Sequence, residues 1–377
     1  MKKIAFLVLH LGVGGAERAI ISEANLLCKF CDVEIISFYK LYDKPAFDVD
    51  PRIKITYLTE NITPNKDELK AAIKAKNIRS VLREGFKSLK ILYLRRALMK
   101  KAIKKLDTDI AISTRFLYHK MLTQNVKKGI VCIAQEHNHH NGNKKYITRQ
   151  INAVGDMDYF MPVSKELYDF YSKKVKGKVK CLYIPHHLEY MPDTPSSLNS
   201  KNIVSIGRLS KEKGMDDLVR VFALVSLSHP DWTLHIVGDG DCRLQIEDEI
   251  KQNRLEDKII LHGFKNREEI NSILSNSSIY VMTSHTESFG LVIIEAESFG
   301  IPCVIFDSAR GALENVSDKE NGIIIKNRSL SDMADAINSL INDYDYRSAL
   351  GKAAMDNAQK YSYKSAEKLW KDFIDSI

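Results

Sequence analysis

Residues 283–300 read TSHTESFGLVIIEAESFG in one-letter code, and they contain a change from strand to helix. The short apolar run just before them, at 279–282, is typical of a β-strand. Residues 291–298 have helical spacing, so the polar residues between the two runs form a strand-to-helix turn. Strands that alternate with helices in this way predict an α/β fold with a parallel sheet.

Two glutamates flank this turn. Glu287 lies in it and Glu295 lies inside the helix, with Ser288 and Gly290 between them. The first N–H groups of a helix have no partner within the helix, and the helix dipole adds partial positive charge, so a phosphate fits here. Carboxylates on both sides of a phosphate suit a nucleotide sugar, which has ribose hydroxyls at one end and hexose hydroxyls at the other. The alternative is that both acids are solvated or cap the helix.

A second loop carries cations. Residues 207–214 read GRLSKEKG and connect a strand predicted at 202–206 to a helix predicted at 215–228. The guanidinium of Arg208 gives directional bonds to phosphate oxygens, and the ammonium of Lys213 supplies a mobile point charge. Taken alone the motif is weak, because lysine-rich turns are common.

The chain begins with a similar arrangement. Residues 4–9 are a continuous apolar run, followed by Gly12, Gly14 and Gly15 and then by a helix predicted at 16–27. The glycines resemble a dinucleotide fingerprint but lack its full spacing, which also disfavours an NAD-dependent oxidoreductase. The first ten residues have features of a signal peptide, yet His10 and the glycine turn favour a buried first strand. We therefore expect a cytoplasmic protein.

The length of 377 residues suits two domains. Residues 185–200 contain three prolines and little apolar content, and we take them as the linker. Further elements are expected at the following places: strands at 33–38, 53–57, 109–112, 130–134, 159–163 and 232–237, and helices from about 67 to 106, at 330–341 and at 346–377. The turn Gly238-Asp239-Gly240-Asp241 imitates a D-x-D metal motif, but its place after a strand favours a structural turn.

Charge is distributed unequally. Residues 1–200 contain 35 Lys+Arg against 20 Asp+Glu, and residues 70–106 contain 13 Lys or Arg and a single acid, Glu84. The segment has an apolar helical face available from residues 78, 81, 82, 89, 92, 99 and 103. A basic amphipathic helix of this kind suits an anionic bilayer surface, although a solvated helix face is the alternative. No nucleic-acid recognition motif accompanies the charge, so nucleic acid is not expected as a partner.

Histidine and cysteine patterns are weaker signals. His137, His139 and His140 follow the strand predicted at 130–134, but no HExxH or cysteine set accompanies them. Cys28 and Cys31 have C-x-x-C spacing without a second pair. We therefore predict no metal site, and the scattered six cysteines indicate a reducing compartment.

The segment ESFGLVIIEA resembles the E-x7-E signature of the retaining family-4 glycosyltransferases with the GT-B fold, and GRLSKEKG resembles a second signature of that family. The resemblance covers nearly the whole chain. It implies two doubly wound, Rossmann-like α/β domains facing a central cleft: an acceptor domain at 1–190 and a nucleotide-sugar domain at 191–360. A final helix at about 361–377 would pack back onto the first domain.

The same resemblance implies roles for individual residues. Glu287 would contact the transferred sugar, Glu295 the ribose, and Arg208 and Lys213 the diphosphate. His137 would lie beside the sugar and the reacting centre, and Glu287, His137, Lys213 and Arg208 form the predicted catalytic set. The remaining predicted donor-binding residues are Gly14, Gly15, Gly207, Gly238, His262, Gly263, Phe264, Ser288, Phe289, Gly290, Leu291 and Val292, several of them through backbone groups.

The predicted reaction is metal-independent, retaining transfer of a hexose or N-acetylhexosamine from a nucleotide diphosphate sugar, preferably UDP-linked, to a saccharide hydroxyl. The charge pattern favours a lipid-linked acceptor at the inner face of the cytoplasmic membrane, in the synthesis of a surface polysaccharide such as a capsule. Two alternatives stay open. One is a nucleotide-sugar epimerase of the same fold, and the other is a non-catalytic nucleotide-sugar-binding protein.

Overall fold

The computed structural model describes all residues from Met1 to Ile377. The strands are β1 Lys3–Val8, β2 Asp32–Tyr39, β3 Lys54–Thr59, β4 Ile110–Ser113, β5 Val131–Glu136, β6 Tyr159–Pro162, β7 Lys180–Cys181, β8 Asn202–Ile206, β9 Thr233–Val237, β10 Ile259–Gly263, β11 Ile279–Met282, β12 Cys303–Phe306 and β13 Gly322–Ile325.

The helices alternate with these strands. They are α1 Gly15–Leu27, α2 Lys66–Lys74, α3 Ile78–Lys105, α4 Phe116–Asn125, α5 Lys144–Val154, α6 Lys165–Lys174, α7 Met215–Ser228, α8 Arg243–Gln252, α9 Arg267–Ser275, α10 Leu291–Ser298, α11 Leu330–Asn342, α12 Tyr344–Ala358 and α13 Tyr363–Asp375. Short 3-10 turns lie at Lys211–Lys213, Arg310–Asn315, Lys326–Arg328 and Gln359–Tyr361.

The chain forms two compact units. The first consists of Met1–Val163, Tyr168–Ile184 and Leu369–Ile377, and the second of Ser164–Leu167 and Pro185–Lys368. The division at Ile184/Pro185 lies at the start of the predicted linker, six residues before the predicted boundary. The return to the first unit begins at Leu369, later than the predicted position near 361.

The first unit is built on a seven-stranded parallel sheet with the order β3-β2-β1-β4-β5-β6-β7. Its central strand β1 is buried along almost its whole length, because helices cover both faces of a parallel sheet. The first predicted strand is thus confirmed as part of the folded core. The strand order reverses between β1 and β4.

The second unit repeats this plan with six parallel strands in the order β10-β9-β8-β11-β12-β13. Its core contains the apolar face of α7 together with inward-facing residues of β8, β9 and β11, among them Phe222, Leu234 and Val281. Here the order reverses between β8 and β11. Both sheets are Rossmann-like, as the sequence predicts.

The prediction of a single continuous helix is wrong for two segments. The helix expected from about 67 to 106 is broken between α2 and α3, where Lys76 has a φ of 52° and the Asn77 side chain accepts from the Ser80 N–H as an N-cap. The helix expected at 346–377 is likewise two helices, because Ser362 leaves the helical conformation between α12 and α13. None of the helices combines the length and the hydrophobicity that a membrane-spanning helix requires.

Candidate functional site

The site lies where the strand order of the second unit reverses. In open α/β sheets, ligands bind outside the carboxyl ends of the strands at such a switch point. Strand β8 ends at Ile206 and runs into the GRLSKEKG loop, and β11 ends at Met282 and runs into the loop that carries Glu287. The two signature loops, far apart in sequence, are therefore neighbours at the same edge of the sheet.

Their charged side chains form a direct ion pair. The Nζ atom of Lys213 donates to Oε2 of Glu287 over 2.5 Å, and the two side chains are 22% and 15% exposed. The hydroxyl of Ser284 lies 3.5 Å from the same carboxylate oxygen. The predicted phosphate cation and the predicted sugar carboxylate thus occupy one site, where they neutralise each other.

Backbone hydrogen bonds hold the two loops together. The His285 N–H donates to the Glu212 carbonyl over 2.8 Å, and the Thr283 hydroxyl donates to the Lys213 carbonyl over 3.2 Å. Gly214, with a φ of 58°, lies so close that a Cβ there would be 2.4 Å from the Thr283 oxygen. Only glycine fits this position, because both the left-handed conformation and the contact exclude a side chain.

Arg328 supports this arrangement from a third loop. Its guanidinium donates to the carbonyls of Thr283 over 3.0 Å and Ser284 over 3.1 Å, to the Ser308 hydroxyl over 2.8 Å, and to the Asp217 carboxylate. The same group lies over the ring of Phe306, 4.5 Å from its centroid. A planar group with five donors is suited to bridging several acceptors at once.

Three predicted glycines meet at the start of the GRLSKEKG loop. The Gly238 N–H donates to the Gly263 carbonyl over 2.9 Å, and a Cβ at Gly238, whose φ is 134°, would lie 2.0 Å from the oxygen of Gly207. The glycine–aspartate turn is therefore packed against the GRLSKEKG loop through backbone atoms, which explains the glycine by close approach rather than by a metal.

The predicted donor-binding residues His262 and Phe264 are the neighbours of Gly263 in sequence. Nε2 of His262 is 2.9 Å from Nδ1 of His235, and the two rings are stacked. Burial lowers the pKa of both imidazoles, with the other ring as a further cause for His235 and Lys265 for His262. The Phe264 side chain is 58% exposed. The lowered pKa values favour uncharged rings, and in uncharged rings the N–H of one imidazole can donate to the bare ring nitrogen of the other.

The start of α10 is shaped by Gly290, which is its left-handed N-cap at a φ of 83°. The carbonyls just before it are held by the 3-10 turn at 310–315: the Gly311 N–H donates to Glu287 over 3.2 Å, and the Asn315 amide donates to Phe289 over 2.6 Å. The N–H groups of Leu291 and Val292, the first residues of α10, are among the donors that a helix N-terminus offers to an anion.

Glu295 is buried, with 3% of the residue exposed, and it is already paired. Its Oε1 accepts from Nη1 of Arg267 over 2.6 Å, while Nη2 of Arg267 donates to Glu189 over 3.0 Å. A carboxylate placed by a guanidinium is preorganised to accept further hydroxyl donors. The structure separates the partners of the two signature glutamates, since Glu287 pairs with Lys213 and Glu295 with Arg267.

The other predicted cation, Arg208, is exposed in the loop after β8. Leu209 beside it is fully buried, and its N–H donates to the Asp239 carbonyl over 3.0 Å. The loop is therefore anchored by its apolar residue, which leaves the guanidinium at the surface.

In the first unit the predicted glycine loop leads into α1. Gly15 opens this helix, and a Cβ there would meet no protein atom within 4 Å, so the packing of the protein does not itself require glycine. Two residues later Glu17 is buried, 3.3 Å from Nη2 of Arg115 and 3.7 Å from Nδ1 of His10. Gly14 is the N-cap of α1, with extended backbone.

His137 follows β5 and is buried, with 7% exposed. Its Nε2 lies 3.3 Å from Oε1 of Gln135, whose amide nitrogen donates to Glu23 over 2.6 Å. Burial lowers the pKa of His137 to about 3, and the charge of Arg115 acts in the same direction. At neutral pH the ring is an uncharged hydrogen-bonding group rather than a cation.

Several residues of the site cannot be found from the motifs. Arg328, Arg267, Gly311 and Asn315 hold the two loops or their glutamates, yet each lies outside the signature segments. No local sequence pattern marks them, because glycine, arginine and asparagine are common in turns and at helix ends throughout the chain.

Cys28 and Cys31 are free, buried thiols. Burial raises the pKa of both, that of Cys31 to about 11. A raised thiol pKa reduces the thiolate fraction, so the pair lacks the activation that redox cysteines require.

Comparison with known proteins finds sequence similarity to glycosyltransferases. A family model described as glycosyl transferases group 1 matches residues 188–356, which contain all of the site described in the second unit. An uncharacterised glycosyltransferase of Haemophilus influenzae is 28% identical over 381 residues, which cover 99% of this chain and 100% of that protein. The poly(glycerol-phosphate) alpha-glucosyltransferase of Bacillus subtilis is 30% identical over 244 residues, 62% of this chain and 36% of that enzyme.

Solved structures show the same fold. TarM of S. aureus, in a complex with fondaparinux, alpha-GlcNAc-glycerol and UDP, superposes with a TM-score of 0.77 at 17% identity, and 99% of each chain is covered. The predicted fold class, with two parallel-sheet Rossmann-like domains of the GT-B type, is confirmed.

Proposed function

Because residues 188–356 match the model of the group 1 glycosyl transferases, we propose that the chain moves a hexose or N-acetylhexosamine from a UDP-sugar to a hydroxyl of a saccharide acceptor. The ion pair of Lys213 with Glu287 at the switch point carries this proposal. It joins a phosphate-binding cation and a hydroxyl-binding carboxylate, and a nucleotide diphosphate sugar presents a phosphate next to sugar hydroxyls.

The donor occupies the second unit in this proposal. Its diphosphate lies against Lys213, Arg208 and the first amides of α10, where it replaces Glu287 as the partner of the ammonium. Glu287 then accepts from the sugar hydroxyls, and Glu295, oriented by Arg267, accepts from the ribose. UDP is the preferred carrier because TarM, which has the same fold, contains UDP in its solved complex.

The chemistry needs no nucleophile from the protein. The bond between the anomeric carbon and the phosphate oxygen breaks, the acceptor oxygen bonds to the same face of that carbon, and the departing phosphate oxygen takes the acceptor proton. Negative charge grows on the diphosphate, so cations and oriented amides that meet it there stabilise the transition state. Lys213, Arg208 and the first amides of α10 supply these positive groups, so we propose that no metal is needed. Because the acceptor bonds to the face that the diphosphate leaves, we propose a retaining reaction.

Two predictions concern the first unit. A Cβ at Gly15 would project into open space rather than against protein. Without that Cβ, a ligand in this space would approach the backbone closely. His137, neutral at pH 7, would orient the sugar through a hydrogen bond rather than stabilise developing charge. We propose both as binding residues, together with Gly14.

For the acceptor we propose a lipid-linked saccharide or polyol-phosphate polymer of the cell surface, at the cytoplasmic face of the membrane. The partial match to a poly(glycerol-phosphate) alpha-glucosyltransferase supports this class of product. A capsular or related surface polysaccharide would use the same chemistry.

The test is an assay of purified protein against UDP-, GDP- and ADP-linked glucose, galactose and N-acetylglucosamine, with oligomeric glycerol phosphate and lipid-linked saccharides as acceptors. We expect UDP release that depends on acceptor, a mass increase of one sugar on the acceptor, an unchanged anomeric configuration by NMR, and no loss of rate in EDTA. A changed sugar nucleotide without acceptor would identify an epimerase. Donor binding without any turnover would identify a binding protein.

A further inference from the structure

Helix α3 carries a stripe of large apolar side chains that face solvent. Five of them are 65% to 76% exposed: Ile78, Leu82, Phe86, Leu89 and Tyr93. We call this set the α3 stripe. Scattered exposed apolar residues are ordinary on protein surfaces, but a row of five on one helix is typical of a surface that binds another protein or a membrane.

The stripe is a separate face of the helix. At about 100° per residue its five members lie within roughly 80° of arc. The residues by which α3 packs into the protein, Ile91, Met99 and Ile103, are at most 7% exposed and lie on another side. The sequence pattern predicts a single apolar face for this helix, whereas the structure divides it into a buried face and an exposed one.

Positive charge surrounds the stripe. Arg79, Arg83, Lys87 and Lys90 lie along one border, and the arc of the stripe continues beyond Tyr93 with Arg96, Lys100 and Lys104. Residues 70–106 contain 13 basic side chains. The only acid, Glu84, is buried at 6% exposure, where it accepts hydrogen bonds from Asn65 and Arg83. The exposed surface of α3 is therefore both apolar and cationic.

We propose that α3 docks lengthwise on an anionic lipid bilayer, with the α3 stripe inserted at the boundary between headgroups and acyl chains and the basic residues against lipid phosphates. Apolar burial and attraction to anionic lipid reinforce each other, and two such signals are what reversible surface anchoring requires. This interaction does not depend on the transfer reaction, so it stands or fails separately from the proposed function.

Other occupants fit the surface less well. A second copy of the chain would bring the basic borders of two α3 helices together, and the repulsion would oppose association. Nucleic acid would be attracted by the charge, but its phosphates give exposed leucine and isoleucine side chains nothing to pack against.

The experiment is flotation of the full chain with vesicles of phosphatidylcholine alone and with added phosphatidylglycerol. We expect bound protein only with the anionic lipid, and a fall of about tenfold or more for Leu82→Ser/Phe86→Ser/Leu89→Ser. The matched control is Leu227→Ser/Leu244→Ser, which changes two leucines of the second unit that are 81% and 74% exposed. A charge variant, Lys87→Glu/Lys90→Glu, should also abolish most binding while leaving the stripe intact.

A fluorescence measurement tests the same proposal without relying on those variants. The two natural tryptophans, Trp232 and Trp370, are buried, so Phe86→Trp adds an exposed reporter whose emission should shift to the blue with anionic vesicles. The proposal is overturned by any of three results: binding that ignores anionic lipid, equal binding by the stripe variant and its control, or no spectral shift. Loss of a dimer in sedimentation velocity on stripe mutation would also overturn it, by showing self-association instead.

Discussion

At the scale of single residues, the site depends on charged side chains that are already paired with one another, and in the proposed function a diphosphate replaces Glu287 as the partner of Lys213. Lys213 is held by Glu287, and Glu295 is held by Arg267. An ammonium that is already positioned costs less to order around a diphosphate than one that moves freely in solvent. In the proposed function, the ion pair thus keeps the cation in place until a phosphate arrives.

Lys213→Ala and Glu287→Ala should each reduce turnover on the order of 10²-fold or more, because in the proposed function each removes a group that contacts the donor where charge or bonding changes. Initial rates of acceptor-dependent UDP release measure this. Lys211→Ala, an exposed neighbour in the same loop, is the control and should retain its rate. Near-normal rates in both site variants would refute the assignment.

Arg328 holds the loops together, and in the proposed function it does not contact the donor. Arg328→Ala leaves two carbonyls and the Asp217 carboxylate without their shared donor, so we expect a loss of about 1–3 kcal/mol of stability and a lower kcat. Arg328→Lys should not restore the rate, because one ammonium cannot bridge the same acceptors.

Denaturant unfolding and a separate determination of kcat and KM measure this effect. The exposed Lys326→Ala in the same turn serves as control. Full rescue of kcat by the lysine variant would show that only the charge matters.

At this scale the sequence predicts which residues have the right chemistry but not which ones hold them. Lys213 and Glu287 are visible because each lies in a motif between a strand and a helix. Arg328 is invisible, because its acceptors at Thr283 and Ser284 lie more than 40 positions away and nothing local marks the contact.

At the scale of elements, α1 is linked to the end of β5 through buried polar groups. Glu23 accepts from Gln135, and burial raises its pKa from 4.5 to about 8. The folded state therefore retains this proton to a higher pH than the unfolded chain does. The contribution to stability is present below pH 4.5 and is lost as the pH rises through about 8.

Glu23→Gln removes this titration. We expect the stability of the variant relative to the natural protein to increase between pH 5 and pH 9, as measured by urea unfolding at several pH values. Glu60→Gln, at an exposed position, is the control and should follow the natural protein. A difference between Glu23→Gln and the natural protein that does not change with pH would contradict the assignment.

Strongly periodic elements are predictable, and α7 and α10 begin and end where the sequence indicates. The segment 67–106, predicted as one helix and found as two, shows the limit of prediction from periodicity. Periodicity reports that apolar residues share a side of a helix, but it does not tell whether that side meets the core or solvent. Leu82 and Leu89 fit the predicted apolar face and are nevertheless exposed.

At the scale of the whole molecule, the chain folds as two units, and its last nine residues belong to the first. Trp370, Phe373 and Ile374 are buried there, with Phe373 packed edge-on against Tyr159 at 5.0 Å between ring centroids. The C-terminal end of α13 is thus part of the core of a unit whose sheet is formed more than 180 residues earlier.

Phe373→Ala should destabilise the first unit by about 2–4 kcal/mol, because a buried ring is lost and a cavity remains. Hydrogen exchange should increase first in peptides from β6 and less in those from β11. Leu369→Ala on the same helix, 42% exposed, should have little effect. Equal loss of protection in both units would show that the terminal segment does not belong to the first alone.

The central claim is that the paired loops at Lys213 and Glu287 hold a nucleoside diphosphate. Titration calorimetry of UDP into the natural protein, Lys213→Ala and Lys211→Ala tests it most directly. We predict saturable binding to the natural protein and to Lys211→Ala, and affinity at least about tenfold weaker for Lys213→Ala. Equal affinity of all three proteins for UDP, or no binding of UDP to the natural protein, would contradict the claim.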